Sequence, residues 1–114
     1  MSHQKFQDCI QACLTCAIAC SHCATECLKE DDVKTMARCI QLDMECAAIG
    51  RAAEEVMSLG SDYSAKLCQI CAEVCNACAD ECEKHAEMGM EHCKECAEAC
   101  RNCAEACERM AIAA

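Results

Sequence analysis

Cysteine recurs along this chain in alternating steps of four and three. The run Cys9, Cys13, Cys16, Cys20, Cys23, Cys27 keeps that alternation unbroken, and it returns at Cys68, Cys71, Cys75, Cys78, Cys82 and at Cys93, Cys96, Cys100, Cys103, Cys107. A repeat of about 3.5 residues marks the inward a and d positions of a helix packed on other helices. Between the first and second runs the rhythm continues with other residues: Met36, Cys39, Asp43, Cys46, Gly50, Ala53 and Met57. Four seams imply four helices. With no proline and only three glycines, nothing obstructs them. The breaks fall at Lys29-Glu-Asp-Asp32, Ser58-Leu-Gly-Ser-Asp62 and His85-Ala-Glu-Met-Gly-Met-Glu91, which places helices near 4–28, 33–57, 63–85 and 91–110. Short turns make sequential helices antiparallel. The expected fold is all-α, an up-down-up-down four-helix bundle with a Cys-lined core, built as one domain over 1–114.

Composition then says what fills that core. Ile, Leu, Val and Phe together number 15 of 114 residues against 18 cysteines, and the net charge is −10. Chains so poor in aliphatics and so charged ordinarily stay disordered, so cysteine, or what cysteine binds, must supply the core. Twenty acids against ten bases, one Tyr, one Phe and no Trp argue against nucleic acid, since phosphate is repelled and bases find no stacking platform. There is no apolar run long enough to span a membrane and no secretory-type leader at the start, so the expected location is cytoplasmic, with reduced thiols used for metal or redox chemistry.

Stacking the four seams antiparallel gives an ordered column. The layers run Phe6/Met57/Met110, Cys9/Ala53/Ser64/Cys107, Cys13/Gly50/Cys68/Cys103, Cys16/Cys46/Cys71/Cys100, Cys20/Asp43/Cys75/Cys96, Cys23/Cys39/Cys78/Cys93 and Cys27/Met36/Cys82. Beyond the last come Glu30, Asp32 and His85, with Met88, Met90 and His92 in the adjoining turn. One end is apolar and the other polar, with soft and imidazole donors.

Several readings compete for this column. An ordinary core uses a few cysteines as small hydrophobes, not eighteen. Disulfides between neighbours on one helix face align poorly, and the expected compartment is reducing. Residues at i and i+4 have Cβ atoms about 5–6 Å apart, so their thiolates can converge on one soft, low-coordinate monovalent ion, Cu(I). Seven such pairs can be read: Cys9/Cys13, Cys16/Cys20, Cys23/Cys27, Cys71/Cys75, Cys78/Cys82, Cys96/Cys100 and Cys103/Cys107. Cys39, Cys46, Cys68 and Cys93 remain to bridge helices. The alternative is zinc or cadmium sequestration in a metallothionein-like role, but zinc favours closed tetrahedral sites from knuckles in turns. Ferredoxin spacings and a Cys-x-x-Cys-His haem motif are absent. Softness favours Cu(I). Neutrality sets a capacity of about 18 Cu(I), or about nine divalent ions, because buried thiolates are costly uncompensated. No nucleophile–base pair or phosphate loop suggests an enzyme, and an oxidoreductase or thiol peroxide scavenger would want few, exposed, low-pKa thiols.

The segments Cys9-Ile-Gln-Ala-Cys-Leu-Thr-Cys16, Cys20-Ser-His-Cys23, Cys39-Ile-Gln-Leu-Asp-Met-Glu-Cys46, Cys68-Gln-Ile-Cys-Ala-Glu-Val-Cys75, Glu81-Cys-Glu-Lys-His85 and His92-Cys-Lys-Glu-Cys96 carry a resemblance. The sequence resembles the cytosolic bacterial copper storage proteins over nearly its whole length. That resemblance implies a Cu(I)-filled bundle, storage or buffering in copper homeostasis, a homotetramer, and copper entering at the histidine-bearing end. It makes His85 and His92 expected ligands at the mouth. A copper chaperone partner follows from need rather than from any motif.

Other donors are weighed one by one. Asp43, a carboxylate on the seam, calls for a metal contact or a local hydrogen-bond role, against a water-filled gap. Met36 extends the seam as a thioether ligand or as packing. Met57 and Met110 read as a plug with Phe6. His22 falls outward beside Cys23 and reads as surface, and His3 precedes the first helix. Lys94, Glu98, Arg101 and Glu105 read as a solvated face, while Leu14 and Ile18 fall at outward positions on the first helix, as scattered surface apolars or, as the resemblance implies, as a tetramer interface.

Overall fold

The computed structural model describes residues 2–113, with side chains described for 6–112. Four helices carry the cysteine runs: α1 (Ser2–Cys27), α2 (Ala37–Ser58), α3 (Ser64–Ala86) and α4 (Glu91–Ala113). α1 packs on α2 and α4, and α3 packs on the same two, which closes a ring of antiparallel neighbours. His3 lies inside the first turn of α1 rather than ahead of it.

The second helix does not start as a regular α-helix. Val33–Met36 forms one 3-10 turn, with no side-chain cap from Asp32. Instead Thr35 bonds back to the Asp32 carbonyl through its backbone N–H (3.2 Å) and its hydroxyl (2.7 Å). The tight turn swings Met36 inward, where it is 1% exposed. Glycine makes the other two turns. Gly60 and Gly89 have φ of 66° and 95°, a region that L side chains avoid and that ends helices in the Schellman motif. The matching six-residue closures are present: Ser61 N–H donates to Val56 C=O at 3.0 Å, and Met90 N–H to His85 C=O at 3.3 Å.

The α2–α3 turn sets the register of α3, and it differs from the seam stacking read off the sequence. The Ser64 hydroxyl donates to Ser61 C=O (2.8 Å) and Val56 C=O (3.4 Å), so Ser64 sits level with the end of α2, not with Ala53. Every α3 seam residue therefore lies one place nearer the apolar end than simple stacking put it. Cys75 rather than Cys71 faces Cys46, and Cys78 rather than Cys75 faces Asp43.

Aliphatic flanks help hold the bundle. Ile10 and Leu42 are buried, and Ile40, Leu67 and Val74 pack half-buried against the core. One residue of the expected solvated face has a different task. Arg101 reaches from α4 to α3, donating to Asp80 (2.6 Å), Glu83 (3.0 Å) and Asn76 (2.9 Å). α1 and α2 meet closely at Gly50, where a Cβ would stand 3.3 Å from the Cys13 carbonyl and 3.9 Å from Ala17 Cβ. Gly50→Val forces the two helices apart. We expect it to cost the apo bundle about 2 kcal/mol, read as a melting temperature lowered by on the order of 10 °C in reduced, metal-free protein.

Candidate metal centre

The 18 cysteines are all free and all buried, none more than 3% exposed. Heptad spacing turns each of them to the bundle axis, and the four helices deliver them in layers. At the apolar end, Cys9 and Cys107 lie 3.7 Å apart, with Cys68 near both. Cys13, Cys71 and Cys103 follow, with Sγ–Sγ separations of 3.7 and 3.9 Å. The next layer is Cys16, Cys46, Cys75 and Cys100, at 3.5–3.7 Å. Cys78 and Cys96 meet Asp43, with Cys20 beside Cys96 at 3.7 Å, and Cys23, Cys39, Cys82 and Cys93 complete the thiol layers above Cys27. Five of the i,i+4 pairs stand at 3.8–4.0 Å.

Those separations say how an ion would be held. Two sulfurs each about 2.3 Å from a shared ion stand about 4.6 Å apart in a linear arrangement and about 4.0 Å apart in a trigonal one. The observed spacing suits thiolates shared among three-coordinate ions, whereas isolated linear S–M–S pairs need each pair to spread. Sulfurs also continue between layers: Cys13 touches Cys107 at 3.7 Å and Cys20 touches Cys100 at 3.6 Å. Groups of four converge across helices, such as Cys13/Cys71/Cys103/Cys107 and Cys16/Cys20/Cys46/Cys100, with sulfurs within 4.8 Å of one another. Tetrahedral geometry is thus within reach too, and charge becomes the discriminator. Among the described residues no Lys or Arg is buried, so only bound ions can neutralise thiolates.

Asp43 lies at the heart of the column, fully buried. Its Oδ1 accepts from Cys78 and Cys96, each at 3.2 Å, and from Cys82 at 3.7 Å, while Oδ2 faces Cys39 at 3.9 Å. Burial, then the Cys96 sulfur beside it, pushes its carboxyl up to about 9. The water-filled gap is not what surrounds it. Thiol donors from three helices do, and a group that can exchange its proton sits among sulfurs that must lose theirs to bind metal.

The polar end gathers Met36, His85 and His92. His92 Nε2 lies 3.5 Å from Cys27 Sγ and 3.9 Å from Glu30. Burial, followed by the neighbouring Cys39 and Cys93 sulfurs, pushes the Cys27 thiol up. His85 is 7% exposed. Its Nε2 pairs with Glu81 at 3.1 Å, and its buried Nδ1 has no partner among the described residues. An imidazole whose one nitrogen is held by a carboxylate offers the other as a donor. Glu81 also meets Lys84 (3.4 Å) and Arg38 (4.0 Å). Glu81 lies off the cysteine seam, and its signature in the sequence is a carboxylate four residues before a histidine on one helix face. His22 and Met88 are exposed, and Met90 packs half-buried at the edge of the core.

The comparisons agree with this geometry. A family profile described as copper storage protein matches residues 2–112. A five-copper form of a cytosolic copper storage protein from Streptomyces lividans is 43% identical, with a TM-score of 0.91, covering 97% of this chain and 95% of that one. The Cu(I)-bound copper storage protein BsCsp3 is 43% identical, with a TM-score of 0.87, over 93% and 97% of the two chains. An uncharacterized cysteine-rich protein of Bacillus subtilis, YhjQ, is 44% identical over 69 residues, and the match spans 60% of this chain and 64% of that protein.

Asp43 makes the apo fold sensitive to pH. Its carboxyl keeps its proton in the fold up to about 9 but loses it near 3.8 when ordinarily solvated. The unfolded chain therefore binds fewer protons in that window, and stability falls as pH rises through it. We expect the reduced apo protein to lose on the order of a few kcal/mol relative to Asp43→Asn between pH about 4 and about 8. Urea midpoints measured across that range test it, and parallel curves for the two proteins would contradict it.

Proposed function

The chain belongs to the copper storage protein family, and on that premise we propose that it stores Cu(I) in bulk, on the order of one ion per cysteine. The observation that carries this reading is the unbroken column of buried thiols at 3.5–4.0 Å, with no buried cation among the described residues to balance them. Each thiol that binds gives its proton to solvent, and the incoming monovalent ion replaces that charge. The ligands are Cys9, Cys13, Cys16, Cys20, Cys23, Cys27, Cys39, Cys46, Cys68, Cys71, Cys75, Cys78, Cys82, Cys93, Cys96, Cys100, Cys103 and Cys107, with Asp43, protonated in the empty fold, as an oxygen donor inside the column. Met36, His85 and His92 receive copper at the polar end and pass it to Cys27.

The family is one of storage proteins rather than enzymes, and we assign this chain no catalytic step: its thiols are buried and equivalent, unlike a reactive cysteine. We place it in the cytoplasm, where reduced thiols persist and where the Streptomyces lividans relative is found. Among the described residues no helix is long and apolar enough to cross a membrane. Assembly as a homotetramer through α1 draws support from Ile18, which is 65% exposed, and a copper chaperone is the delivering partner.

Anaerobic titration of the reduced protein against a competing chelator tests the reading. Cu(I) is expected to saturate at about 18 equivalents and Zn(II) at no more than about nine. Saturation at one or two Cu(I), or tight zinc binding with weak cuprous binding, would overturn storage. His85→Ala and His92→Ala are expected to slow uptake several-fold while leaving the final capacity within about one or two ions. Stopped-flow mixing with a Cu(I) donor reads the first effect, and elemental analysis reads the second.

A further inference from the structure

The apolar end of the column holds a soft donor that the thiols do not account for. Met57 is fully buried, and its Sδ lies 3.6 Å from Cys68 Sγ. A plug needs only apolar volume, which leucine provides as well as methionine. Here the thioether is turned to meet a thiol. Cys68 interacts in turn with Cys9 and Cys107, whose sulfurs are 3.7 Å apart. The one-place shift of α3 creates this grouping, because it brings Cys68, rather than Ser64, into the layer of Cys9 and Cys107.

We propose that Met57, with Cys68, Cys9 and Cys107, forms a mixed thioether–thiolate Cu(I) site that closes the column at its apolar end. Sulfurs 3.6 Å apart can share an ion at about 2.3 Å each with an angle near 100°, so the site needs no movement of either helix. Charge explains why a thioether serves there. Phe6 and Met110 are buried at this end, and the Ser64 hydroxyl is already committed to backbone carbonyls, so among the described residues no polar group there offsets a surplus thiolate. A neutral sulfur fills the remaining coordination position without adding charge, where a further cysteine would add one. In the interior layers thiolates are shared with ions on both sides. The terminal layer has ions on one side only, and Met57 supplies the missing neighbour.

This site rests on the storage reading, and selenium absorption spectroscopy separates the two. The protein is produced with selenomethionine, filled with Cu(I) without oxygen, and measured at both the copper and selenium edges. The expected result is Se–Cu scattering that persists when the mouth methionines are removed by Met36→Leu, Met88→Leu and Met90→Leu, and that vanishes on adding Met57→Leu. The Met57→Leu protein should also lose about one equivalent of capacity. Selenium seeing only carbon in a copper-filled protein with the native sequence would overturn the site while leaving storage intact. Scattering that survives Met57→Leu would overturn the assignment to this residue. A protein that takes up only one or two coppers would overturn the storage reading itself.

Discussion

Contact between buried sulfurs is the constraint on which everything else in this molecule depends. A thiol is a small, weakly polar side chain that packs as a hydrophobe, and a thiolate is a soft ligand. The same eighteen atoms must therefore act as core without metal and as coordination sphere with it. Spacings of 3.5–4.0 Å satisfy both, being van der Waals contact for thiols and bridging distance for thiolates. A bulky aliphatic side chain in the middle of the seam would separate sulfurs without replacing their contacts, and the aliphatic residues stand on the flanks, at Ile10, Ile40, Leu42, Leu67 and Val74.

The layers show how far the amino-acid order alone could be followed. Steps of four and three identify the inward face of each helix, and pairing α1 with α4 from those steps gives the observed partners Cys9 with Cys107, Cys16 with Cys100 and Cys23 with Cys93. Periodicity says which face points inward but carries no axial coordinate. The α3 register came instead from a turn, through the two carbonyls that Ser64 bonds and the left-handed Gly60. A shift of one seam place preserves the whole pattern, so the pattern could not reveal it. The 3-10 turn before α2 is hidden for a similar reason: it rests on Thr35 closing back on the Asp32 carbonyl through its backbone N–H and its hydroxyl, which leaves no mark on the seam.

The polar end was legible in kind and not in detail. Histidines and Met36 could be placed there by counting seam positions, yet the pairing of His85 with Glu81 and the approach of His92 to Cys27 depend on how α3 and α4 exit their turn. The clasp of Arg101 on Asp80, Glu83 and Asn76 belongs to the same class. Heptad arithmetic assigned that face to solvent, because an outward position on one helix says nothing of a long side chain crossing to the next.

The absence of buried cations among the described residues also governs what the outside of the molecule can tell a partner. If every proton leaving a thiol is replaced by one monovalent ion, net charge stays near −10 from empty to full, and the acidic exterior keeps its field. Electrostatic steering, solubility and any docking face on the flanks of the helices are then blind to the cargo. A cell component that must tell a loaded molecule from a hungry one has a single place to look, the few residues around Cys27 where the column meets water.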